Sequence, residues 1–185
     1  TEYTTATTGV SGTSAQTACL CTTGYGRGTA SNTATACASC DAGYYSSDVS
    51  NSDCSKCAKG KSSATTTATL STVCISCASG TYASSRASST CTTVQAGYFA
   101  SIDGITGVNL EADEEVVCPA GTYSSAGASD CTSCASGTYA SSTASPNTCT
   151  TTTAGYFPSI DGTSAVSSAA TQQVVCAIGT FSDAG

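Results

Sequence analysis

The stretch CISCASGTYASSRASSTCTTVQAGYFASIDG, residues 74–104, decides how this chain is read, because it recurs at residues 131–162 as CTSCASGTYASSTASPNTCTTTTAGYFPSIDG. Cys131 follows Cys74 by 57 residues, and a one-residue insertion near Thr148 carries the offset to 58. Both copies run through a variable segment to VVC, at Cys118 and Cys176, and then to GTYSSAG from Gly121 and GTFSDAG from Gly179. Self-similarity at a fixed period is the signature of an array whose units bury their surfaces on one another. The chain stops inside a repeat at Gly185, so the expectation is a window on a longer array. The division expected is 1–20 as the end of a preceding repeat, 21–73 as short cysteine-rich units, 74–130 as the first long copy and 131–185 as the second, truncated one.

A shorter unit lies inside the long one. The pattern Cys-x-x-Gly, commonly followed by Thr-Tyr, a Ser/Thr/Ala-rich stretch and a closing Cys, starts at Cys21, Cys40, Cys57, Cys77, Cys118, Cys134 and Cys176. The closing residues are Cys37, Cys54, Cys74, Cys91, Cys131 and Cys149, each the first Cys of the next C-x-x-C. After Cys91 the same motif runs on with Val94 in the second-Cys slot, and Glu115 fills the next first-Cys slot. The copy holds Thr152 and Gln173 in those slots. Two cysteines have thus been lost together, twice, around the same loop, as expected if they are partners, since losing one alone leaves a free thiol. The bridges implied are Cys21–Cys37, Cys40–Cys54, Cys57–Cys74, Cys77–Cys91, Cys118–Cys131 and Cys134–Cys149. Cys19 and Cys176 are left for partners in neighbouring segments. A crossed scheme stays open, with Cys74–Cys91, Cys77–Cys118, Cys131–Cys149 and Cys134–Cys176.

Composition explains why covalent staples are needed. Leu, Ile, Val and Phe together make up about one residue in nine, below the ~20% at which chains build a packed core. Ser and Thr are roughly a third of the chain, yet charged residues are only 9% and Cys number 14 of 185. Small-core chains with this much Cys belong to oxidising, extracellular settings. No stretch approaches the ~20 apolar residues of a membrane span, so no membrane insertion is expected. The formal net charge is -7, with only Arg27, Lys56, Lys59, Lys61 and Arg86 basic, which makes nucleic acid a poor partner.

The fold class expected is small disulfide-rich β repeats, an elongated rod of short hairpins with little hydrophobic core and almost no helix. Apolar residues do not recur at helical spacing, and Ser, Thr and Gly lower helix propensity throughout. Tyr25, Tyr44, Tyr82, Tyr123, Tyr139 and Phe181 hold one place in the unit and are each expected over a disulfide. Stacked units should touch only their neighbours. The cysteine-free loops, about 92–117 and 150–175, read as longer hairpins or flaps. Their candidate self-association residues are Tyr98, Phe99, Ile102 and Asp103, with Tyr156, Phe157, Ile160 and Asp161 in the copy.

C-x-x-C followed by x-x-G-T-Y-S-S and a Ser/Gly-rich loop to the next Cys pair resembles the ephrin-receptor-like and growth-factor-receptor cysteine-rich repeats. The Thr/Ser/Ala filling is similar to that of protist surface proteins, including ciliate immobilisation antigens. The resemblance covers the chain from about Cys19 onward and implies stalks, coats or filament shafts outside the cell. Cys19-Leu20-Cys21, Lys61 in the aromatic place and the two coupled losses depart from the pattern.

Catalysis has no footing in the sequence. There is no His for a triad or general base, and no nucleophile elbow or phosphate-binding loop. C-x-x-C pairs can hold zinc, but the coupled losses favour disulfides, and no metal or cofactor is expected. Glu111, Asp113, Glu114 and Glu115 could suggest calcium, yet the copy has Ala169, Thr171, Gln172 and Gln173 there, so a solvated acidic loop is the better reading. Asp103 and Asp161 read as turn residues. Candidate O-glycan acceptors are Thr4, Thr5, Thr65, Thr66, Thr67, Thr151, Thr152 and Thr153. The leading functional expectation is an extracellular structural repeat that builds a surface coat, stalk or filament, such as a flagellar hair, from copies of itself. The alternative is a cell-surface ectodomain recognising a glycan or protein through the long loops.

Overall fold

A computed structural model describes residues 20–27, 37–50 and 52–184. The chain falls into two compact units, one made of Thr1–Cys77 with Ala83–Cys91 and the other of Ala78–Tyr82 with Thr92–Gly185. The described residues form small disulfide-rich β repeats, with one short 3-10 turn, Ser71–Val73, as their helical content. Among the described residues every sheet is a two-stranded antiparallel ladder.

In the first unit β1 (Tyr25–Gly26) pairs with β2 (Ala38–Ser39), β3 (Tyr44–Tyr45) with β4 (Ser55–Lys56), and β5 (Lys61–Ser62) with β6 (Ile75–Ser76). In the second, β7 (Thr81–Tyr82) pairs with β8 (Thr92–Thr93), and β9 (Tyr98–Ser101) with β10 (Glu114–Val117). There follow β11 (Thr122–Tyr123) with β12 (Thr132–Ser133), β13 (Thr138–Tyr139) with β14 (Thr150–Thr151), and β15 (Tyr156–Ser159) with β16 (Gln172–Val175). In the short hairpins, β8 and β14 lie between a closing cysteine and Val94 or Thr152; β2, β4, β6 and β12 are the dipeptides between the two cysteines of C-x-x-C. One cysteine therefore closes a hairpin and the other opens the next.

The G-T-Y motif has a local physical basis. Ala78 to Thr81 make a four-residue turn, with Thr81 N donating to the Ala78 carbonyl at 3.0 Å, and Gly80 takes the third position at φ 73°. A positive φ there suits Gly and few other residues. The Thr81 hydroxyl donates to the same carbonyl, as do Thr122, Thr138 and Thr180 in their own turns. Thr and Tyr then enter the strand, where β-branched and aromatic side chains fit the pleat.

The disulfides are Cys21–Cys37, Cys40–Cys54, Cys57–Cys74, Cys77–Cys91, Cys118–Cys131 and Cys134–Cys149. Each closes its hairpin with Cα atoms 5.4 to 5.7 Å apart, and none of the crossed pairs is formed. Cys176 is half-buried and in no bridge. Cys19 lies outside the described residues. The buried apolar set is mostly Cys and Ala, and Cys21, Cys40, Cys57, Cys77, Cys118 and Cys134 are all nearly inaccessible. Tyr44 packs on Cys40 and Cys54, as the sequence leads one to expect. Phe181, by contrast, is 88% exposed, so the aromatic place does not always make a miniature core.

Backbone hydrogen bonds join successive hairpins within each unit. In the first, Gly24 N donates to Ser46 O, Gly43 N to Ser63 O and Gly60 N to Ala83 O. In the second, Gly97 N donates to Ser124 O, Gly121 N to Ala140 O and Gly155 N to Ser182 O. The next hairpin answers from its tip: Thr67 N donates to Cys40 O, Ala87 N to Cys57 O, Gly127 N to Val94 O and Ala144 N to Cys118 O. Polar backbone thus bonds to polar backbone where an ordinary domain would place an apolar core.

Contact also reaches the hairpin after next, which corrects the expectation of nearest-neighbour contact. A Cβ at Gly24 would stand 2.6 Å from the Thr67 carbonyl oxygen, and one at Gly43 would overlap the Ala87 carbonyl. In the second unit Gly80 lies against Gly127, Gly97 against Ala144 and Gly121 against Ala169. These tip residues, apart from glycine, hold the left-handed conformation, at φ 56° for Thr67, 62° for Ala87, 58° for Ala144 and 54° for Ala169. Glycine in the motif therefore answers to two demands, the turn and the close approach of another backbone.

Candidate functional site

The two long hairpins, β9–β10 and β15–β16, are where the repeat gives up a disulfide. The vacated cysteine slots are filled by other means. Val94 is fully buried and packs with Ala100 and Ala112, flanked by Tyr82, Tyr98 and Val108. Opposite it, the Glu115 carboxylate accepts from the backbone N–H of Gln95 at 3.0 Å and from its side-chain amide at 3.1 Å. In the copy the Thr152 hydroxyl is buried and donates to the Gly137 carbonyl at 3.0 Å. Gln173 Oε1 accepts from the backbone N–H and the hydroxyl of Thr153 at 3.0 and 3.2 Å. A side-chain hydrogen-bond clamp at the hairpin base thus replaces the covalent one. The backbone bond of the slot survives too, with Val94 N donating to Gly80 O and Thr152 N to Gly137 O, as Cys77 N does to Gly60 O.

Each long hairpin turns through an aspartate-centred loop. Asp103 Oδ1 accepts from the backbone N–H of Thr106 at 2.7 Å and of Ile105 at 2.9 Å. Ser101, fully buried, accepts from Gly104 N and donates to the Thr106 carbonyl. In the copy Asp161 Oδ1 accepts from Thr163 N and Ser164 N, both at 2.8 Å, and Ser159 accepts from Gly162 N. The N–H groups of Thr106 and Ile105 stabilise the ionised carboxylate and hold Asp103 at about 2. The N–H groups of Ser164 and Thr163 depress Asp161 in the same way. Burial pushes the Tyr82 hydroxyl up, and the nearby Glu115 carboxylate adds to it.

The candidate self-association residues separate accordingly. Phe99 is 6% exposed, so only a small part of it, at the groove described below, is open to a partner. Tyr98 and Phe157 are half-buried. Asp103 and Asp161 are occupied in their own turns. Ile102 and Ile160, each 52% exposed, and Tyr156 remain open to contact. The sequence reading missed Ile105, 82% exposed, and Leu110, 62% exposed. Large apolar side chains in a Gly/Ser loop with no alternating partner were the available signal. Ile105 stands on a groove of about 370 Å³ in the second unit, lined by Phe99, Val116, Val117 and Pro119.

Among the glycan candidates, Thr65, Thr66 and Thr151 are exposed and Thr67 is half-buried. Thr152 is removed by its burial, and the Thr153 hydroxyl is held by Gln173. Thr4 and Thr5 lie outside the described residues. Among the described residues no helix is long and apolar enough to cross a membrane, and no cluster of three or more His, Cys, Asp or Glu could hold a metal ion. No protein-family model matches the chain, and a search of curated proteins finds no similar one.

Proposed function

We propose that the chain is an extracellular structural repeat of the ephrin-receptor-like or growth-factor-receptor-like kind, contributing by self-association to a cell-surface coat, stalk or filament such as a flagellar hair. The observation that carries this reading is the hairpin ladder. Backbone bonds and disulfides are reused at each step with almost no apolar core, which suits an array whose surface is built for extension and for contact. Six bridges among the described residues support an oxidising, extracellular setting for this reading. O-linked sugar on Thr65, Thr66 and Thr151 belongs to the same reading. Negative-stain microscopy of the native material tests it: filaments or sheets with a regular repeat are the expected result, and monodisperse monomers under native conditions would overturn it.

A further inference from the structure

The charges of the chain are segregated between its two units. Arg27, Lys56, Lys59, Lys61 and Arg86, all the basic residues, belong to the first unit, against four acidic residues there. The second unit has eight acidic residues and no basic one. Formal charges are thus +1 and -8, which together give the chain's -7. Two second units repel each other, whereas a second unit attracts the basic unit of another copy.

Each unit also offers a local surface for that meeting. The groove of the second unit is lined by Ile105, Val116, Val117, Pro119 and Asp130, with a small part of the nearly buried Phe99. Asp113 and Glu114 lie on or just before strand β10, and the Glu114 carboxylate stands beside Gly104, another groove residue. In the first unit the hairpin from Cys57 to Cys77 carries Lys59 and Lys61, with Lys56 directly before it. The same hairpin presents Leu70 at 58% and Ile75 at 69% exposure. We infer that the groove beside β9–β10 receives the Lys56–Ile75 segment of a second copy, apolar side chains to the groove and lysines to the acidic strand. The copy of the acidic stretch, Ala169, Thr171, Gln172 and Gln173, is neutral, so the first long hairpin alone carries this specificity. Such a contact joins two unlike surfaces of the chain. The inference rests on the self-association reading and names its interface.

Sedimentation of the full chain at about 20 mM and about 500 mM NaCl, where the Debye length falls from ~20 to ~4 Å, tests it. Association should weaken by about tenfold or more at high salt. Lys56→Glu/Lys59→Glu/Lys61→Glu and, separately, Asp113→Lys/Glu114→Lys should each weaken it comparably at low salt, and mixing the two reversed variants should restore it. An unchanged count of free thiols shows that each variant keeps its bridges. Association that is indifferent to salt and to both reversals overturns this interface while leaving self-assembly standing. A chain that is monomeric at both salts and at high concentration overturns the self-assembly reading and the interface with it.

Discussion

Replacing Gly80 by Ala should cost far more stability than the same change at Gly155, although both glycines hold the same turn position of the repeat. Their backbones are nearly alike, with φ 73° at Gly80 and 83° at Gly155. The conformational penalty for alanine in the left-handed region is therefore shared, about 1–2 kcal/mol. The surroundings differ. A methyl at Gly80 would overlap the Gly127 carbonyl, whereas one at Gly155 would have nothing within 4 Å. Gly127 cannot retreat freely, because its N–H donates to Val94 O at 2.8 Å. Displacing it strains or breaks that bond, worth about 0.5–1.5 kcal/mol, and adds an overpacking cost of about 1–3 kcal/mol. Gly80→Ala should therefore lose about 2.5–6.5 kcal/mol and Gly155→Ala about 1–2. Denaturant unfolding of both variants with bridges intact measures the gap, and amide exchange at Gly127 localises it. Equal losses, or undisturbed exchange at Gly127, would refute contact between a hairpin and the one after next.

Restoring the missing cysteines, Val94→Cys with Glu115→Cys, should form a seventh bridge, read as the absence of new alkylatable thiols. Closing a loop of this length stabilises by about 3 kcal/mol, less about 2 for the lost Val94 packing and Glu115 bonds, so the expected gain is about 1 kcal/mol. Removing the Cys77–Cys91 pair by paired Ser substitution should cost about 3 kcal/mol by the same chain-entropy argument, measured by the shift in denaturation midpoint. Asp103 falls from 3.8 to about 2 on folding, so the unfolded chain binds more protons between those values. Its stabilising contribution is complete above about pH 4 and fades as pH falls through about 2. Asp103→Asn with Asp161→Asn should accordingly flatten the decline in stability over that range, followed by unfolding at fixed denaturant across pH.

Much of this organisation was legible in the chain itself. The paired losses at Val94/Glu115 and Thr152/Gln173 pointed to the serial pairing because an oxidising setting penalises a cysteine without its partner. The turn role of Asp103 and Asp161 followed from the Asp-Gly step. Spacing could not show which backbone each glycine faces, since the contact of Gly80 with Gly127 depends on the pitch between stacked hairpins. Nor could it show that Phe99 turns inward: Ala100 and Ser101 beside it are buried as well, so the usual alternation along a strand fails where another hairpin covers the second face. The Glu115–Gln95 clamp was hidden for a different reason, because a Glu in an acidic run reads as solvated until the fold brings its carboxylate within hydrogen-bond reach of Gln95.

The serial staple is the claim on which the ladder depends, and it is tested most directly by proteolysis of the unreduced chain and mass analysis of the linked peptides. Tryptic sites are too few, so an enzyme of broad specificity is needed. Peptides joining Cys77 to Cys91 and Cys118 to Cys131 are the expected result. A peptide joining Cys77 to Cys118 would contradict the account.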